Sequence, residues 1–352
     1  MTAVVADPAV VEPARIDFGQ RIDRLRGAAR IVVAFVGSLL VFAILILIKG
    51  VNPWTAYTDM ISSTFGSWDS IGDILVRSTP IILAALAVSV PARAGLINVG
   101  GEGQLLMGGI GGMGMSLALG SSLPGPLTLV LMVVAAALAG AAWAGLAAAL
   151  RQFVGISESV TTLLLNYVAL DLMYFLIYDR WKDRHGSGQP ATRPLPSGER
   201  LPILFGRVHA GILLALGAAV IIGLVFALTS WGFRLRVVGG NAEAARRSGL
   251  RVGALLISAM AVGGALAGIG GLTQLAGAEF KLREGFIAGY GYIGFLASWL
   301  GRHRPGYVVV SAILLSSIVI GGDSLQIDSK LPAASVNVLL AVTLLAVFGF
   351  GR

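Results

Sequence analysis

Long apolar runs separated by short polar segments dominate the chain. Ten stretches carry enough apolar residues to cross a bilayer as helices of about 20 residues: 31–48, 72–91, 95–118, 127–149, 157–178, 210–230, 253–275, 286–300, 306–321 and 333–350. The eighth and ninth are short, and the third is rich in glycine. The pattern predicts an all-α, polytopic membrane protein of about ten transmembrane helices. Ahead of the first run, Ile16, Phe18, Ile22 and Leu25 alternate with Arg and Asp over 15–30, which predicts a short helix lying on the membrane surface. Residues 1–14, with Pro8 and Pro13, read as a disordered tail. The run 31–48 is longer than a signal-peptide core and no small-x-small site follows it, so it reads as a retained first span and 31–352 as one membrane domain.

Composition agrees. Of 352 residues, 56% are apolar and only 12% charged, against about a quarter charged in soluble domains. A soluble enzyme, a disordered chain and a disulfide-stapled secreted domain are thereby excluded. The lack of cysteine also removes thiolate catalysis and thiolate metal sites. The net charge of +8 has a topological cause and does not imply nucleic acid. With ten spans and the N-terminus inside, the inner segments collect Arg15, Arg21, Arg24, Arg26, Arg30, Arg93, Arg151, Arg234, Arg236, Arg246, Arg247, Arg251, Arg302, Arg304 and Arg352. All four lysines fall outside. That asymmetry fits cytoplasmic loops and predicts both termini cytoplasmic.

Two loops are more than minimal. The outer loop 179–208 is polar and rich in Pro and Gly, long enough to form a docking surface but equally readable as a connector. In the inner loop 231–252, Asn241 can cap a helix with Glu243 in its first turn and Arg246 and Arg247 in its last, and Gly249 can take the left-handed stop. A helix over about 242–248 follows. It is either a surface that transmits force to a partner or an ordinary basic loop with a chance cap.

Ionisable residues inside spans are expensive and are functional candidates by default. Arg77, Glu102, Glu158 and Asp171 qualify. Glu102 sits with Asn98 and Gln104 in a stretch whose glycines permit a broken helix. It either lines a solute path or fastens two helices together. Asn166, deeper on the fifth span, could face the same path. Glu158 lies near the inner interface and reads as structural; Arg77, near an outer end, can snorkel. The G-x-G-x-x-G at Gly109, Gly111 and Gly114 lies in an apolar run without a preceding strand, and with the Gly264–Gly268 pair it reads as helix packing. The histidines are scattered and suggest no metal site. No phosphate-binding G-x-x-x-x-G-K-[ST] loop occurs, so any ATP is bound by a partner, and no cofactor is expected in this chain.

The string RAGLINVGGEGQ at 93–104 resembles the signature of bacterial ABC importer permeases of the branched-chain amino acid, ribose and nucleoside group, above all the nucleoside permeases of basic-membrane-protein-type systems. ISESVTTLLLNY at 156–167, VVGGNAEAARRSGL at 237–250 and EGFIAGYGYIGFLASWLG at 284–301 are similar to further segments of those permeases, with Phe295 and Ser298 departing from the pattern. The resemblance covers roughly residues 70–350. It implies a type II ABC importer-like permease fold in the bacterial inner membrane. It also implies three partners: a second, similar but non-identical permease chain, a cytoplasmic ATPase and an extracytoplasmic substrate-binding lipoprotein. By resemblance, Asn241, Glu243, Ala244, Ala245, Arg246 and Gly249 form the segment that couples to the ATPase.

For a nucleoside, Asn98, Glu102, Gln104 and Asn166 are expected to offer hydrogen bonds along the path, and Tyr292 or Phe295 to stack on the base. Sugar or branched-chain amino acid permeases are the alternatives within the class. A proton- or sodium-driven secondary transporter, using Glu102 or Asp171, is the alternative outside it.

Overall fold

A backbone in lipid must satisfy its own hydrogen bonds, so the apolar runs become helices. The computed structural model describes residues 36–120, 122–186, 188–287 and 289–328, with positions 33, 338, 339, 341 and 342 besides. Two units divide the chain: Ala56–Ala333, which holds everything discussed below, and a smaller one formed by Met1–Thr55 and Ala334–Arg352. Helix α1 (Val36–Ile48) belongs to the smaller unit. The others are α2 (Pro53–Phe65), α3 (Trp68–Ala92), α4 (Gly101–Leu119), α5 (Gly125–Val154), α6 (Glu158–Phe175), α7 (Gly211–Leu228), α8 (Ser230–Gly240), α9 (Ala242–Arg247), α10 (Val252–Gln274), α11 (Tyr290–Leu300) and α12 (Pro305–Asp328). Wider π-helical turns extend α6 to Arg180 and α10 to Glu279.

Among the described residues, six helices are long and apolar enough to cross a membrane: α3, α5, extended α6, extended α10, α7 and α12; α1 and α2 would add a seventh if they formed one broken span. These six coincide with the predicted runs 72–91, 127–149, 157–178, 210–230, 253–275 and 306–321. The third and eighth runs become α4 and α11, each starting later than its apolar pattern suggests, at Gly101 and Tyr290. Seven of the 19 residues of α4 are glycine, and α11 has only 11 residues. The segments before both helices are irregular because their backbone bonds to side chains elsewhere, as described below. The predicted tail and surface helix over 1–30 lie outside the described residues, as does most of 333–350.

Burial locates the core. In α3, 83% of the most apolar window is buried, against 22% in α5, so α3 runs through the centre and α5 along the outside. Helix α10 closes on α4 and α5 through glycine. A Cβ at Gly140 would overlap the Gly264 carbonyl, one at Gly268 the Ala136 carbonyl, and one at Gly108 the Gly268 backbone. The G-x-x-x-G pair at Gly264 and Gly268 is thus a site of backbone contact, as its spacing predicts.

Part of the long loop 179–208 is stitched to the segment after α10. Leu195 N–H donates to the Phe280 carbonyl at 2.7 Å, Leu201 N–H to Ala276 at 2.8 Å and Thr192 N–H to Leu282 at 3.0 Å. A two-stranded antiparallel ribbon, β1 (Ile203–Phe205) with β2 (Val208–His209), ends it. Buried Glu199 accepts from the Ser116 hydroxyl of α4. Buried His209 accepts from Gly211 N–H through Nδ1 at 3.1 Å, and burial pushes its pKa down to about 4, which keeps the ring neutral.

The glycine seam yields a prediction. Gly268→Leu should destabilise the protein by roughly 3 kcal/mol or more, because backbone rather than a movable side chain occupies the space. Gly217→Leu on α7, which meets nothing within 4 Å, should change little. Thermal unfolding of the detergent-solubilised variants measures both, and equal effects would contradict the seam.

Candidate functional site

Between α3 and α4 the chain leaves the helix for Arg93–Gly100, with Gly95 at φ +77°. Its exposed peptide groups need partners, since each buried amide left alone costs about 1–3 kcal/mol. Helix α6 supplies them from positions four residues apart, which stack on one helical face. Glu158 accepts from Ile97 N–H at 3.1 Å, and Thr162 Oγ1 from Val99 N–H at 3.2 Å. Asn166 donates to the Val99 carbonyl at 3.1 Å and accepts from Gly103 N–H at 2.8 Å. Glu158 is also paired with Arg151 of α5, so its charge is balanced.

Asn98 and Gln104 complete the break from within. Their amides exchange two hydrogen bonds, at 3.0 and 2.9 Å, while Asn98 also donates to the Ala87 carbonyl and accepts from Gly100 N–H. Both are fully buried. Gly103 is needed for the approach, since a Cβ there would press on the Asn166 backbone at 2.9 Å.

Glu102, in the first turn of α4, accepts from Gly289 N–H at 2.9 Å and Gly291 N–H at 2.7 Å, the opening amides of α11. A carboxylate at a helix N-terminus is held by aligned peptide dipoles as well as by the bonds. The two helix starts touch there: a Cβ at Gly291 would overlap the Glu102 backbone. Tyr292, one residue on, receives a hydrogen bond from Asn166 at 3.3 Å. Glu102 therefore does fasten two helices, and it also borders a space.

That space is a cavity of about 350 Å³ whose walls include Glu102, Asn166, Tyr292, Tyr167, Tyr174 and Phe286. Among the predicted path residues, the structure brings Glu102, Asn166 and Tyr292 together there. Asn98 and Gln104 turn to each other and are not part of its lining, and Phe295 packs against Trp299 with ring centroids 6.0 Å apart. Tyr167, Tyr174 and Phe286 were not singled out from sequence. The signal was present for two of them: Tyr167, Tyr174 and Tyr178 are spaced by seven and four, a stripe along α6. Asp171 of that helix is exposed, and Arg77 bonds Asp323 of α12 at 2.5 Å.

At the end of the bundle that holds the α3–α4 break lies α9. Asn241 caps it, accepting from Ala244 N–H at 2.9 Å. Glu243 pairs with Arg246 at 2.8 Å and Arg247 at 3.1 Å. Gly249 turns left-handed at φ +82°, and Leu250 N–H closes the end on the Ala245 carbonyl. Only Ala245 of the helix is buried, so its remaining side chains face outward. Sequence reading missed α8 before it, which Thr229 caps by accepting from Gly232 N–H at 3.1 Å. Its glycines at 232, 239 and 240 hid the helix, and Gly239 lies where a Cβ would overlap the Arg93 carbonyl. The helix carrying α9 thus presses on the start of the break.

A helical membrane core with a polar break, an aromatic cavity beside it and an exposed capped helix at one end defines a multi-pass permease. Residues 70–348 match the family described as branched-chain amino acid transport system / permease component, and the chain belongs to that family. It is an ABC transporter permease and not an enzyme. The glucose ABC transporter permease protein TsgB13 of Haloferax volcanii is 36% identical over 326 residues, covering 89% of this chain and 85% of that protein. The guanosine ABC transporter permease protein NupP of Bacillus subtilis is 30% identical, covering 90% and 91%. The nucleoside ABC transporter permease protein NupB of Lactococcus lactis is 30% identical, covering 88% and 87%. Membership implies a complex with an ATPase and a substrate-binding protein.

The ladder on α6 makes a sharp prediction. Thr162→Val keeps the shape but leaves Val99 N–H alone, which should cost about 1–3 kcal/mol. Thr162→Ser, which restores the donor's partner, should recover most of it in the same unfolding measurement.

Proposed function

We propose that this chain is the translocation subunit of an ATP-driven importer for nucleosides. It would span the bacterial inner membrane about ten times with both termini cytoplasmic, and work beside a similar, non-identical permease chain. The observation that carries the substrate class is the cavity beside the break. Tyr167, Tyr174, Phe286 and Tyr292 offer ring faces and hydroxyls, and Glu102 and Asn166 offer hydrogen-bonding edges. Aromatic faces suit a flat base, and the polar edges suit ribose hydroxyls. Nucleoside and guanosine permeases similar along most of the chain support the same class. One specific finding favours a second reading, a sugar: TsgB13, 36% identical, is a glucose permease.

In this reading α9 rests on the partner ATPase: Asn241 and Gly249 shape its ends, Glu243, Ala244 and Arg246 lie on its surface, and buried Ala245 seats it on the bundle. ATP-driven closure of the ATPase would move α9 and α8. Through Gly239 the motion would reach Arg93 and the break, and through Glu102 it would reach α11 and the cavity. An extracytoplasmic lipoprotein would deliver the solute, and ATP would bind only to the partner. Domain-wise, 1–30 would be a cytoplasmic tail and 31–352 the permease.

Uptake of labelled uridine and adenosine, with and without this gene in cells lacking other nucleoside carriers, tests the substrate. Loss of uptake that excess ribose or glucose does not mimic by competition is expected; unchanged uptake would move the assignment to sugars. Gly249→Trp should abolish uptake while leaving the protein in the membrane, because the left-handed turn at φ +82° admits no such side chain without strain. Normal uptake by that variant would contradict the coupling role of α9.

A further inference from the structure

The end of the bundle that carries α9 holds an unusual excess of arginine. Its described acids are already engaged, Glu158 by Arg151 and Glu243 by Arg246 and Arg247. Among the described residues Arg93, Arg234, Arg236, Arg251, Arg302 and Arg304 join no ion pair. Three of them converge. Arg93, the residue just past α3, is half-buried with its guanidinium 4.4 Å from the Phe226 ring in the last turn of α7. The end of α8 packs on the Arg93 carbonyl at Gly239, three residues after Arg236, and Arg304 closes the turn between α11 and α12. Burial, then the charges of Arg236 and Arg304, press the Arg93 pKa down, as expected for guanidiniums gathered without a counter-ion. The α11–α12 turn holds Arg302 and His303 at φ +50° and +56°, a strained pair of non-glycine residues that positions Arg304.

We propose that Arg93, Arg236 and Arg304 bind the phosphate headgroup of an anionic phospholipid in the leaflet on this side. Three features on this surface fit a lipid. The cluster sits where α3 and α7, two of the helices long and apolar enough to cross a membrane, come to an end. Exposed Leu228, two residues past Phe226, and exposed Phe233, three before Arg236, offer apolar contact to acyl chains. The cations that gather here are arginines, whose planar fork grips phosphate oxygens two at a time. The site is independent of which solute the cavity carries.

The test is a binding titration of the purified full-length chain in detergent, with dioleoylphosphatidylglycerol against dioleoylphosphatidylcholine, read by native mass spectrometry. The wild type should prefer the glycerol lipid. Arg236→Gln with Arg304→Gln, both exposed and removable without disturbing the core, should weaken that preference about thirtyfold. Arg184→Gln with Arg193→Gln, the same charge loss on the loop 179–208, should leave it unchanged. Displacement by free inorganic phosphate would overturn the lipid as ligand, and equal weakening by the two double variants would overturn the site. Unchanged lipid binding in the Arg236/Arg304 variant, together with failed assembly with the ATPase subunit, would assign the cluster to a protein contact instead.

Discussion

The structure depends on how a stretch of open backbone is made tolerable inside an apolar bundle. Residues 95–100 expose peptide groups where water is scarce, and each would cost about 1–3 kcal/mol unpartnered. Three α6 side chains, Glu158, Thr162 and Asn166, meet that demand from one helical face. Once the break is held, α4 starts where Glu102 can cap α11, and the two helix starts enclose the cavity with α6. Position follows from hydrogen-bond satisfaction, and the aromatic walls follow from position.

Glycine makes the same arrangement sterically feasible. Gly103 lets α4 lie on Asn166, Gly291 lets α11 meet Glu102, and Gly239 lets α8 rest on the Arg93 carbonyl. These contacts form a continuous route from the exposed helix α9, through α8 and the break, to the cavity. The route joins helices through close backbone contacts, and close-packed interiors transmit strain. In the proposed function this route is how movement of α9 would reach the cavity.

Much of this was legible in the sequence. Helix α9 was readable almost to the residue, because Asn241, Glu243, Arg246 and Gly249 are local signals whose chemistry needs no tertiary context. The long apolar helices were equally plain. The glycines around Glu102 allowed a broken helix, but the start of α4 at Gly101 was not legible, since apolar periodicity continues across 95–100 and the partners that hold the open backbone lie on α6. The pairing of Asn98 with Gln104 was likewise hidden: six residues apart, they meet only because the chain between them is not helical. Helix α8 was obscured by glycines whose role is contact, and the tyrosine stripe on α6 was visible in its spacing but silent about what it faces.

Because the chain contains no cysteine, a single Tyr292→Cys substitution places one reactive thiol on the cavity wall. The most direct test of the cavity as the solute path is the labelling rate of that thiol by a maleimide in the assembled transporter. Rates would be compared with and without uridine, and with and without ATP. The account predicts that uridine slows labelling and that ATP changes the side of the membrane from which the thiol is reached. A rate indifferent to both would contradict it.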